Sequence, residues 1–149
     1  MATWRQFAQA EPEMSALGLR LLERHHLAYI ATVRRDGSPR LHPVAPFIAA
    51  GEFVVATPRT SPKADDQLRD PRVVIHLLPG PDDDEFMMRC RARPVTGGPE
   101  RTRVRQNAPH FVKDDDHCFA YDLLEVMTAH WVNVGRPGTY PARRTWVAP

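Results

Sequence analysis

The chain is poor in cysteine: Cys90 and Cys118 are the only two among 149 residues. That excludes a disulfide framework. No apolar run approaches the roughly 20 residues a membrane-spanning helix needs, so no membrane partner is expected. Lysine is equally scarce, with Lys63 and Lys113 set against 18 arginines. The net charge of +2 does not describe a phosphate-tracking groove, because acidic clusters at 82–85 and 114–116 interrupt any basic stripe. Nucleic acid is therefore not an expected partner. The opening MATWRQFAQAEPEM has no apolar h-region, so no secretory signal is expected and the expected location is cytoplasmic. What is present is ordinary for a globular protein, with 42% hydrophobic and 26% charged residues. The length predicts one domain over 1–149.

Fifteen prolines break the chain into short elements, which favours strands over long helices. Thr3 and Gln6 have capping-box spacing and open a short N-terminal turn. Met14, Leu17 and Leu21 recur at helical spacing as far as His25. LAYIATV (27–33) reads as a strand, followed by a turn in which Gly37 supplies the positive φ. PRLHPVAPFI (39–48) and EFVVAT (52–57), joined by the turn Ala50-Gly51, complete a three-stranded antiparallel meander. Pro43 and Pro46 in its middle strand mark an edge, a bulge, or a backbone face turned toward a ligand. KADDQLRD (63–70) is a short helix ended by Pro71. RVVIHLL (72–78) is a strand buried on both faces. EFMMRCRARPV (85–95) alternates and has one wet face. Gly98-Pro99 opens a helix to Asn107. FAYDLLEVMTAHWVNV (119–134) is a long strand or strand pair, and the tail from Gly135 is extended. Six strands, three short helices and no βαβ alternation predict a mainly β (α+β) antiparallel barrel with peripheral helices.

Chemistry can sit in three places. Thr57, Thr60, Ser61 and Lys63 lie where a strand ends and a helix begins. A helix N-terminus offers free backbone N–H groups to a phosphate, and Lys63 adds a point charge. The alternative is that Ser61 only caps the helix and Lys63 is solvated. Arg40 and His42 lie two apart on a strand and share a face. His110, His117, Cys118 and Cys90 are zinc-competent types without zinc spacing, so no metal is expected. No serine or cysteine is marked as a nucleophile, and no catalytic residue is singled out.

The series IATVRRDGSPRLHPV, ATPRTSPK and QLRDPRV resembles the flavin-binding split-barrel family, the pyridoxamine 5′-phosphate oxidase-like and flavin/deazaflavin oxidoreductase proteins. DEFMMRCRARPV resembles the family strand that often reads G-x-A, with Cys90 in place of the glycine. FAYDLLEVMTAHW and the tail with Trp146 resemble its closing strands. The resemblance implies a six-stranded split β-barrel working as a homodimer, with FMN sites at the interface and a small-molecule substrate. Carried over by residue, Arg40, His42, Pro43, Val44, Ala56 and Thr57 line the cofactor. Ser61 and Lys63 hold its phosphate, and Trp131 or Trp146 from the partner covers the ring. Coenzyme F-420 is the alternative cofactor, with Arg40, Arg59 and Arg69 serving its anionic tail. A non-catalytic flavin- or haem-binding module is a further alternative, with His76, His110 or His130 as axial ligand. The sequence departs from the vitamin B6 oxidases proper. His42 stands where they carry arginine and Phe47 where they carry lysine, and a C-terminal Arg-x-His element is missing. Vitamin B6 oxidase activity is not expected.

Overall fold

A computed structural model describes all of Met1–Pro149. Helices α1 (Trp4–Ala10) and α2 (Pro12–His25) precede a mainly antiparallel sheet. The Thr3–Gln6 capping box is present in both directions, at 3.2 and 2.8 Å, and opens a full helix rather than a lone turn. Helix α2 buries Met14 and Leu21 and ends at His26, which takes up a left-handed conformation.

The strands are β1 (Ala28–Val33), β2 (Pro39–Val44), β3 (Phe47–Ala49), β4 (Glu52–Thr57), β5 (Arg72–Leu77), β6 (Glu85–Pro94), β7 (His117–Val132) and β8 (Tyr140–Val147). Helix α3 (Pro62–Arg69) follows β4 and α4 (Gly98–Asn107) follows β6. The sheet order is β2-β1-β5-β6-β7-β4-β3, with β8 on β7. Strands β2 and β3 are therefore opposite edges of one sheet, yet only Ala45 and Pro46 separate them in the chain. The sheet has to curl until its edges meet, and the covalent link closes it where no strand pairing does. This is a split barrel.

Four expectations are corrected here. The stretch 39–48 is not the middle strand of a meander: Pro46 has no N–H to donate, the strand breaks, and β3 pairs with β4 at the far edge. The β3–β4 turn has positive φ at both Ala50 and Gly51, as a tight hairpin requires. The tail is not merely extended: β8 pairs with β7 from Glu125↔Val147 to Val132↔Tyr140. The count is thus eight strands and four helices, not six and three. Finally, β5 is buried on one face only. Val73, Ile75 and Leu77 face the core, while Val74 and His76 are half-buried on the outside.

Strand β7 runs unbroken for 16 residues. One edge pairs with β6; the other pairs first with β4, then with β8, and Ala2 bridges Leu123 in the gap. The barrel core joins Ile30, Phe53, Val55, Ile75, Phe86, Met88, Phe119 and Tyr121 to Trp4 and Phe7 of α1. A second cluster under α4 holds Phe47, Val54, Val104 and Cys118.

Candidate functional site

Helix α3 is the centre of the site. Pro62 starts it, with a fixed φ suited to a first-turn position. Its inner face is unusual for a helix docked on a barrel, because two polar side chains, Asp66 and Gln67, are buried beside Ala64. Each is satisfied by other elements. Asp66 accepts from Thr32 Oγ1 of β1 at 2.9 Å, from Arg40 Nε of β2 at 2.6 Å and from Arg69 at 3.2 Å. Gln67 accepts from the Tyr121 hydroxyl of β7 at 2.8 Å and donates to the Lys63 carbonyl at 3.0 Å. Burial pushes the Asp66 carboxyl up, but the hydrogen bonds from Arg40, Thr32 and Arg69 outweigh it and hold it below the usual carboxylate range. Burial pushes the Tyr121 hydroxyl well up, so it stays a neutral donor.

The first turn of α3 is less well satisfied. Lys63 Nζ donates to Ser61 Oγ at 2.9 Å and has no carboxylate partner. Burial lowers its pKa. Ser61 sits at the N-cap position, but its hydroxyl accepts no capping bond from the helix backbone. Four residues before Ser61, at the end of β4, Thr57 is buried and its hydroxyl has no partner in the chain. A half-buried ammonium without an anion and a buried hydroxyl without a partner both carry an unmet electrostatic demand. A phosphate at the start of α3 would meet the demand of the ammonium, and the Ser61–Lys63 donor set fits one.

The other residues singled out in the sequence are distributed as follows. Arg40 joins the α3 cluster through Asp66. His42 is half-exposed on the next inward-facing position of β2. Val44 is buried in the barrel core, while Pro43 faces out, paired with Tyr29. Ala56 lies on the α4 side of β4, packed against the second cluster. Trp146 packs on Phe7 at 5.1 Å between ring centres, within its own chain. Trp131 Nε1 donates to Glu85 at 3.3 Å near the far end of β7. That is about 45 Å of strand contour from the end that meets Thr57, so the structure does not bring either tryptophan to α3 of the same chain. His110 packs edge-on against Phe47 at 5.6 Å, and His130 pairs with Asp84 at 2.7 Å. Burial raises the Cys90 and Cys118 thiols, which lie in the two core clusters.

Sequence reasoning missed Asp66, Gln67, Thr32 and Tyr121. The available signal was limited to Gln67, which falls three residues after Ala64 and so on its helix face. It also missed that His117 is the cross-strand partner of Thr57. Between the β1–β2 turn and α3 lies a cleft of about 500 Å³, lined by Arg34, Arg35, Arg40 and Arg69 with three aspartates and Pro62. On the outer face of the sheet, a groove of about 340 Å³ has Ala31, Val33, Val74 and Leu124 in it and Arg72 and Arg89 beside them.

Comparison with known proteins fits this architecture. The chain superimposes on a pyridoxamine 5′-phosphate oxidase-related, FMN binding protein from Nostoc punctiforme with a TM-score of 0.65 at 10% identity, covering 92% of this chain and 97% of that one. A protein related to general stress protein 26, from Clostridium acetobutylicum, gives a TM-score of 0.66 at 9% identity over 89% and 92%. A heme binding protein from Mycobacterium smegmatis gives 0.62 at 15% identity, over 81% of this chain and 52% of that one. No curated protein matches the chain in sequence. No helix is long and apolar enough to cross a membrane. Residues 18–134 match the family model for pyridoxamine 5′-phosphate oxidase. With most of its length matched and the split barrel in place, the chain belongs to the pyridoxamine 5′-phosphate oxidase family.

Proposed function

We propose that the protein is a flavin-dependent oxidoreductase that binds FMN at a homodimer interface. The observation that carries this reading is the anion-seeking end of α3: Lys63 half-buried without a counter-charge and Ser61 beside it, with the orphaned Thr57 hydroxyl at the end of β4, four residues before Ser61. FMN supplies hydride chemistry through its ring, so the chain's own task is to bind and orient. Lys63 and Ser61 hold the phosphate, and Thr57 donates a hydrogen bond. His42, half-exposed on β2, is the candidate hydrogen-bonding group for the ring.

The outer face of β1, β2 and β5 supports the dimer. Tyr29 is 44% and Leu41 64% exposed there, with Ala31 and Val74 half-buried around them. An apolar sheet face of this kind is what a second copy would cover. In this reading the substrate is other than pyridoxamine phosphate, because Phe47, buried in the second core cluster, stands where the resemblance places a lysine of the vitamin B6 oxidases.

Two observations support other cofactors. The arginine-lined cleft beside α3 suits the anionic tail of coenzyme F-420. His76 Nδ1 lies 2.6 Å from the Leu77 carbonyl, which makes Nδ1 the donor and leaves Nε2 as a possible axial ligand for haem. Visible spectra of the purified protein, alone and after adding FMN, coenzyme F-420 or haem, separate the three. A bound-flavin spectrum at dimer size by gel filtration is the expected result. A monomer that binds none of them refutes the proposal.

A further inference from the structure

Arg40 reaches Asp66 through Nε alone, and its terminal guanidinium nitrogens make no hydrogen bond within the chain. The Arg40 side chain is 20% exposed and the Asp66 side chain 4%, so a buried carboxylate holds the stem side of a guanidinium whose outer edge is open. The same carboxylate is tied to β1 by Thr32 and sits one helical turn after Lys63. On its other flank, Gln67 ties the helix to Tyr121 and grips the carbonyl of Lys63 itself. Three strands thus hold α3 through two buried polar side chains of its second turn, one of which is bonded back to the first turn at Lys63. An apolar pair would dock a helix on a barrel as well, without the desolvation of a carboxylate and an amide.

We propose that Asp66 is a positioning residue for the anion site, fixing the Lys63 turn against β1 and β2 and aiming the free edge of Arg40 at the phosphate that Ser61 and Lys63 receive. The inference rests on the phosphate-site reading above. It gives Arg40 a defined geometry: one N–H locked inward, the fork outward, as charge-assisted recognition of phosphate oxygens requires. Asp66 itself touches no ligand and acts through Arg40 and the helix.

The test compares FMN with riboflavin, which has the same ring and no phosphate. The ratio of their dissociation constants isolates the phosphate contribution from fold and ring binding. Asp66→Asn should reduce the wild-type preference for FMN by roughly tenfold, the loss expected for one misplaced charge-assisted contact, with riboflavin affinity unchanged. Arg40→Gln, at a partly exposed position, should reduce it to a similar extent, and the double variant should be no worse than either. Thr32→Val, which cuts the tie of Asp66 to β1 but leaves Arg40 on the carboxylate, should lower the melting temperature and reduce the ratio by less than Asp66→Asn does. If Asp66→Asn does not fold, Arg40→Gln and Thr32→Val still decide the matter. An unchanged ratio in Arg40→Gln or in a folded Asp66→Asn overturns the positioning role and leaves the phosphate site standing. Equal affinity of the wild type for FMN and riboflavin overturns both.

Discussion

Replacing Lys63 by Met tests the site most directly. Methionine keeps the unbranched stem and removes only the ammonium. In the free protein that ammonium has one partner, Ser61 Oγ at 2.9 Å, and burial lowers its pKa. A cation with a folded-state pKa below its unfolded value is a liability. Its charge opposes folding at all pH values below the folded pKa, and the penalty lifts as pH rises from there toward 10.5. The unliganded variant should therefore be as stable as wild type or more so at neutral pH, with the difference closing at alkaline pH. With FMN the sign reverses. One hydrogen bond between an ammonium and a phosphate contributes about 1.5–3 kcal/mol, so FMN affinity should fall by roughly 10- to 150-fold. Riboflavin affinity should not change. Flavin fluorescence titration and thermal unfolding without ligand measure both halves. A variant that binds FMN as tightly as wild type, or one that is several degrees less stable when unliganded, would refute the reasoning: the first denies the phosphate contact, the second makes Lys63 structural.

Thr57→Val should raise the stability of the free protein by about 1 kcal/mol in denaturant unfolding, since it removes a buried hydroxyl without a partner, and should weaken FMN binding. Gly18→Ala should destabilise in spite of alanine's better helix propensity. The new Cβ would lie 2.8 and 2.9 Å from ring carbons of buried Phe86 and 3.0 Å from Trp4, and calorimetry should show a net loss of roughly 1–2 kcal/mol. Asp66 has a lowered folded-state pKa, so its contribution is present above the ordinary carboxylate range and lost as pH falls through the folded value. Acid unfolding of Asp66→Asn, followed by circular dichroism, should accordingly be less steep than that of wild type. Leu41→Glu, on the exposed apolar face, should yield a folded monomer by gel filtration; a folded dimer would show that the outer face is not the interface.

Local order was legible in the sequence because its signals are local. The Thr3–Gln6 capping box, the Gly37 turn, the alternation of Phe86, Met88, Cys90 and Ala92, and the stop at Pro71 each depend on residues a few positions apart. The series of motifs over residues 27–95 also carried the family, which the match over 18–134 bears out. The sequence drew attention to Ser61 and Lys63, because a scarce lysine beside a helix start is visible in one dimension, while the phosphate role proposed for them came from the family resemblance.

What only the tertiary structure decided depends on closure of the sheet. Residues 39–48 alternate well enough to read as one strand, and nothing local shows that Pro46 sends β3 to the opposite edge. The tail became β8 because the second half of β7 outruns β4 and offers it a free edge. Asp66 reads as one aspartate among several in a polar helix. Its meaning comes from Thr32 and Arg40, which lie 34 and 26 residues away in the chain and are brought to its carboxylate only when β1 and β2 curl onto α3. Pattern records what each residue prefers next to its neighbours. Which carboxylate ends up buried, and which ammonium is left without a counter-charge, is decided when the barrel closes and removes the water from between them.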